Sequence, residues 1–519
     1  MKKISLLLGF LMIMSIGFSQ KKNVISCWSF MKDGFYEDAK EVIDKAAEDP
    51  TTKEWYKTWW YYGRTYHALG VSEKAKDKKL CNNECLDKAF EAYLKAITFN
   101  FLDPEMKKLN LESEVDLIKF FGALNNSDTK FEDDEAFIDI ISNRLPGLSN
   151  DFVNRGVDAF QNLSDYKKSL DYFEKAILAS TLSMQVDTQV FYFASLAAKK
   201  AEEFEKAIQY NDALIQMKFG ANDEEKANIY LNQAQCYREL GSKVYEVSCS
   251  PSGFDVTYFD REGNIVQETV NSNIWVKNFS QISDSIYVSI SAQAKNTNAK
   301  ITVKIYQNNL EFKKASSEGD YVIASTNGKI KVSENIENLN KMLETLQKGI
   351  EKYPDNSYNL IIETFNYYVG KGQNEKAYQY ISMAIDKNPN DPQFYVIRGT
   401  LLEQMNRRKD ASNEYLKALE LDPENADANY SMGAFYYNQA ADTLEWANVN
   451  IPPTDFTAFE AVVAASKELF KKAIPYLEKS HAINPKDINV LNTLKTIYYR
   501  LGDMPKHDAI KAELDALTQ

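Results

Sequence analysis

Two short runs, Ala384-Ile385-Asp386-Lys387-Asn388-Pro389 and Ala418-Leu419-Glu420-Leu421-Asp422-Pro423, stand 34 residues apart, alanine to alanine and proline to proline. A fixed period of that length commits a chain to stacked copies of one unit, each burying its apolar face against the next. Counted from Tyr358 and Pro392, position 20 of the two units holds Ala377 and Ala411, and position 8 holds Phe365 and Gly399. Position 11 holds Tyr368 and Leu402. Small residues at positions 8 and 20 let two antiparallel helices approach closely, and Phe365 departs from that rule. A larger residue at 24, Ile381 or Tyr415, fills the groove beside them. A small residue at 27 admits the next helix, and proline near 32 ends the second one.

This register resembles the tetratricopeptide (TPR) family, whose unit is 34 residues folded as a helix pair. Downstream, a unit opens at Ala426 with Met432-Gly433 and Tyr436, and closes with Ala473, Leu477, Ser480 and Pro485. Its middle carries about 28 residues beyond the standard length, with Pro452-Pro453 and a helix-like run from Phe456 to Phe470, which reads as a lengthened helix pair. A last unit with Leu491, Leu494, Tyr498 and the turn Leu501-Gly502 follows, and its second helix, to Leu517, caps the array. Upstream, Trp59, Tyr62-Gly63 and Tyr66 take first-helix positions, and Ala89, Tyr93 and Ala96 follow after a longer connection. Cys27, Ala39, Ile43 and Ala46 mark a degenerate first unit, and Ser169, Phe173, Ala176, Ser195, Ala198 and Ala207 mark further ones. Pro104 to Asn150 is helical in pattern but out of register. The count is eight or nine units.

One unit is split. Tyr230, Ala234, Tyr237 and Leu240-Gly241 complete a first helix, but the partner helix arrives only at Asn335 to Tyr353. Between them the period changes to alternation in Tyr245–Val247, Phe254–Tyr258, Ile286–Ile290 and Ile301–Tyr306, with turns at Asp260–Asn264, Lys295–Asn298 and Ser317–Asp320. Seven or eight strands in about ninety residues imply a small antiparallel β-sandwich. From Tyr245 through Trp275 to Tyr321-Val322-Ile323-Ala324 it looks like the small sandwich of a mycobacterial membrane-transport accessory family. The fold expected is therefore mainly α, a TPR superhelical solenoid interrupted by that sandwich. Its segments are a leader at 1–19, a first array at 20–242, the insert at 243–332 and a second array at 333–519.

The leader reads as a secretory signal. Lys2 and Lys3 precede an apolar run from Ile4 to Phe18, and Gly17 and Ser19 are small residues at the −3 and −1 positions of a cut before Gln20. Export places the mature chain in the periplasm or at the outer envelope. The alternative of a membrane anchor meets a run slightly short for a span, and no later run is long and apolar enough. Val24-Ile25-Ser26-Cys27 has the form of a lipoprotein cleavage box, but Lys21, Lys22 and Asn23 separate it from the apolar run, and Cys27 falls on a core position. The net charge of −13 becomes about −15 without Lys2 and Lys3. Such a surface repels phosphate backbones, so nucleic acid is not expected as a partner.

No constellation for catalysis stands out. The three histidines, His67, His481 and His507, are scattered, and no metal, P-loop, dinucleotide or nucleophile motif occurs. An enzyme is not expected, nor a cofactor. Export gives the five cysteines weight. A Cys81–Cys85 disulfide would pin the lengthened connection of the second unit, whereas a zinc site there lacks partner ligands. Cys236 and Cys249 flank the entry to the strand region and can pair if they are close.

The remaining candidate is the concave groove that TPR arrays line with first-helix positions 2, 5, 9 and 12. Here these include Asn366, Val396, Tyr430, Tyr437, Asn492 and Tyr499. Tyrosine offers contact area with a polar tip and asparagine hydrogen-bonds peptide backbone, although such tyrosines also pack between units. The Lys/Asn carboxylate clamp of chaperone-binding TPR domains is not evident. The expected function is thus an exported scaffold or adaptor for protein or peptide partners in the cell envelope. The alternative is a glycan- or lipid-related binding module centred on the insert, with Trp275, Tyr258 and Tyr287 as its aromatic candidates.

Overall fold

A computed structural model describes residues 21–81, 84–279, 282–308, 310–332 and 335–518, so the expected leader lies outside the described residues. Two compact units emerge, one of residues up to 219 together with Glu239–Glu334, the other of Gly220–Arg238 together with Asn335–Gln519.

In the first unit, the helix over 21–32 pairs with Tyr36–Glu48, Tyr56–Val71 with Cys85–Phe99, Leu145–Gln161 with Tyr166–Leu182, and Thr188–Lys200 with Phe204–Gln216. Cys27 is fully buried beside Ala39, Ile43 and Ala46, its Sγ 3.4 Å from Thr65 Oγ1. Burial pushes its thiol up to about 11. Close approach is built where the repeat demands it. A Cβ placed on Gly63 would sit 2.6 Å from the Tyr93 ring, and one on Gly156 would sit 2.6 Å from the Phe173 ring. The out-of-register stretch ends earlier than the sequence pattern indicates, since Leu145 already begins a repeat helix. Before it, a Phe101–Phe131 bridge and the rings of Phe101, Phe120, Phe131 and Phe137 form a local aromatic cluster.

The insert adds eight strands, β1 (Ser242–Ser250), β2 (Phe254–Phe259), β3 (Ile265–Val270), β4 (Ile274–Phe279), β5 (Ile282–Ala294), β6 (Ala299–Gln307), β7 (Leu310–Gly319) and β8 (Ile323–Val332). They form two four-stranded sheets, ordered β4-β1-β6-β7 and β3-β2-β5-β8, with every pairing antiparallel. Alternating inward residues, among them Val247, Val303, Val256 and Ile290, share one core. The turn placed at Ser317–Asp320 falls later. Gly319 still pairs with Ala299, and the chain reverses at Tyr321, which takes φ +52°.

The second unit pairs Asp223–Leu240 with Ile336–Lys352 across the insert. Tyr230 lies against Gly349, its ring is 6.1 Å from that of Tyr353, and its hydroxyl is 3.3 Å from Lys352 Nζ. The entry to the insert has a backbone signature. Gly241, at φ +65°, takes the left-handed turn conformation that Gly372, Asn406 and Gly502 take between the paired helices of intact units. The following pairs are Tyr358–Gly370 with Asn374–Lys387, Pro392–Gln404 with Arg408–Leu421, Ala426–Asn450 with Phe456–Ile483, and Ile488–Leu501 with Met504–Thr518. Nine helix pairs stand among the described residues.

Candidate functional site

Two places offer a surface with the chemistry of recognition, one in each unit. In the second unit, the six groove positions divide by exposure. Asn366, Asn492 and Tyr499 face solvent, Tyr499 at 63 % exposure. Tyr430 and Tyr437 are half-buried against the core of the last two helix pairs, with the Tyr437 ring 5.7 Å from that of Phe470. Burial raises the Tyr430 phenol above its ordinary value. Val396 is only 6 % exposed and corrects the sequence assignment. It sits in a helix flanked by Asn374–Lys387, Arg408–Leu421 and Ala426–Asn450, where an apolar β-branched side chain packs rather than faces solvent. The accessible part of the expected groove is thus Asn366, Asn492 and Tyr499. Asn492 Oδ1 already accepts from Lys495 Nζ at 3.1 Å.

In the first unit, a cleft of about 650 Å³ opens between the turns of two helix pairs and one end of the sheets. Its helical wall carries Asp165, Tyr166, Lys167, Lys200 and Phe204, and its sheet wall carries Tyr258, Arg261, Val266, Lys277 and Asn278. Glu205 accepts a hydrogen bond from Asn278 Nδ2, and Lys167 Nζ lies 3.8 Å from Glu268 Oε1, so helices and sheets are tied at the cleft. Burial holds the Glu205 carboxyl above its usual value. Tyr258 and Trp275, singled out in the sequence as aromatic candidates, are mainly structural. Tyr258 is 3 % exposed and donates to Glu268 at 2.8 Å, and Trp275 Nε1 donates to the same carboxylate at 3.1 Å. Burial and the Glu268 hydrogen bond both raise the Tyr258 phenol. Tyr287 is 52 % exposed. No periodicity marks this cleft in the sequence, because its two walls come from turns and strand ends about a hundred residues apart.

Cys81 and Cys85 place their Cα atoms 5.9 Å apart, a span that a disulfide closes. Cys236 and Cys249 are both buried and neither is part of a disulfide, so the suggested pairing does not form. Cys249 Sγ lies instead 3.2 Å from the Pro251 carbonyl oxygen.

Relatives fit the helix pairs. Residues 401–439 match the TPR repeat model. Protein O-mannosyl-transferase TMTC3 from mouse is 45 % identical over 62 residues, 12 % of this chain and 7 % of the relative, and the human protein is 47 % identical over 58 residues, 11 % and 6 %. The chain therefore spans less than a tenth of the length of these curated relatives. Among solved structures, the C-terminal part of a TPR repeat-containing protein from Cytophaga hutchinsonii is 12 % identical at a TM-score of 0.37, covering 70 % of this chain and 95 % of that one. YrrB, described as a TPR protein with an unusual peptide-binding site, is 14 % identical at 0.25, covering 35 % and 79 %. At these scores neither structural likeness carries an argument about the site.

Proposed function

We propose that the chain is an exported TPR scaffold that holds protein or peptide partners in the cell envelope through the exposed first-helix residues Asn366, Asn492 and Tyr499. The observation that carries this reading is the stack of helix pairs in the second unit. It presents hydrogen-bonding and aromatic side chains on a packed helical frame. The acidic balance and the lack of any catalytic motif in the sequence agree with binding rather than turnover. No described helix is long and apolar enough to cross a membrane.

The cleft favours a second reading, in which the insert binds a glycan- or lipid-related ligand and the helices serve as its frame. The resemblance of the strand region to the mycobacterial accessory family points the same way. Affinity capture from envelope extracts separates the two, using the mature protein with and without residues 243–332. A specific partner retained by the deletion variant supports the groove. A partner lost with the insert, while circular dichroism shows the helices intact, moves the function to the cleft.

A further inference from the structure

We propose that the tip of the long hairpin in the second unit, independently of the groove, is a docking site for a cationic amphipathic helix of a partner protein. The two helices of this pair run for 25 and 28 residues, whereas the preceding pair has 13 and 14. At about 1.5 Å per residue the excess carries the hairpin on the order of 15–20 Å past its neighbours. The shared core ends at Leu444 and Leu469, so the residues beyond have only each other to pack against.

The tip leaves large apolar side chains in solvent. Ala447 is buried and Phe459, Val462 and Val463 are partly covered, while Trp446, Val449 and Phe456 are 57 %, 79 % and 73 % exposed. A hairpin that only had to close on itself gains nothing from an exposed indole, since burying a large apolar side chain is worth about 1.5–3 kcal/mol. Trp446 and Val449 are three residues apart and share one helix face. With Phe456 at the start of the second helix, the end of the arm holds exposed apolar surface of the kind that marks an interaction surface.

Charge selects the partner. From Lys417 to Lys467 the sequence holds no lysine or arginine between them, but eight acidic residues. Below the tip Asp442 pairs with Arg408, and at the tip Asp455 caps the second helix by accepting from Ala458 N at 3.0 Å. Glu445 and Glu460 are exposed and have no ion-pair partner among the described residues. An apolar patch edged by unpaired carboxylates opposes an anionic lipid surface and attracts a lysine- or arginine-bearing one. The exposed indole adds a cation-accepting face. A helix with basic residues flanking an aliphatic stripe meets both requirements.

The test uses the mature full chain and fluorescence anisotropy of a labelled synthetic Leu/Lys amphipathic helix. A Leu/Glu helix of the same pattern and vesicles of anionic or zwitterionic phospholipid serve as competing probes. Trp446→Ser with Phe456→Ser, and Glu445→Lys with Glu460→Lys, should each weaken binding of the Leu/Lys helix at least about tenfold. Glu37→Lys with Glu224→Lys makes the same change in net charge at exposed acids elsewhere and should cost less than about threefold. The Leu/Glu helix should not bind. Equal losses for tip and control variants would reduce the effect to net charge and overturn the proposal. Vesicle binding that depends on Trp446 and Phe456 but is indifferent to Glu445 and Glu460 would overturn it in favour of a membrane surface.

Discussion

Gly433 shows how the repeat works at the level of one atom. A Cβ there would stand 2.6 Å from Leu477 Cγ, a branch point that cannot swing aside. Alanine in a helix interior gains about 1 kcal/mol over glycine, but overpacking costs about 1–3 kcal/mol. Gly433→Ala should therefore lower the unfolding free energy measured in urea, whereas Gly122→Ala, where a Cβ meets nothing within 4 Å, should raise it by about 0.5–1 kcal/mol. The same reasoning explains Phe365, the misfit at a small-residue position. It is buried in a pair whose position 24 is the smaller Ile381 rather than a tyrosine, so volume is redistributed within the pair. Cys81 and Cys85 give a second residue-scale test. Alkylation of the denatured, unreduced exported protein should label Cys27, Cys236 and Cys249 alone, and labelling of all five cysteines would exclude the bridge.

Among elements, the helices were legible because a 34-residue register repeats the same packing demand many times. Strands β1, β2, β5 and β6 were legible because they bury one face and so alternate cleanly. The outer strands were harder. β7 is exposed along much of its length and carries little alternation, so the sequence pattern puts its closing turn too early. One cross-strand group makes a pH prediction for this region. Glu246 stands opposite Lys304 on β1 and β6 and accepts from Lys243 Nζ at 2.8 Å, Lys304 Nζ at 2.9 Å and the Tyr306 hydroxyl at 3.1 Å. Burial works to raise its carboxyl, but these donors outweigh burial and hold it at about 2, below an ordinary 4.5. The stability it contributes is fully present above pH 4.5 and is lost as pH falls toward about 2. Glu246→Gln should cost about 1–2 kcal/mol at pH 7, a figure reduced for partial solvent exposure. The gap to the unsubstituted protein should narrow steadily over that acid range, and a gap independent of pH would contradict the account.

At the scale of the whole molecule, the sequence pattern located the repeats and the point where one of them is split, since both follow from periodicity and from a glycine at a recurring left-handed turn. It did not separate groove-lining from packing residues. Val396 and Tyr430 occupy the same position of successive units as the exposed Asn492, and what differs is the neighbour each meets. The cleft of the first unit and the hairpin tip of the second were still less legible, because neither arises from a periodic pattern. The central claim is that partners are held by the repeat surface. Site-specific photo-crosslinking in envelope preparations tests it most directly, with a benzophenone amino acid placed in turn at Asn366, Asn492, Tyr499 and, on the insert, at the exposed Ile265. Asn366, Asn492 and Tyr499 should give one common partner band and Ile265 none. A band from Ile265 alone would contradict the claim.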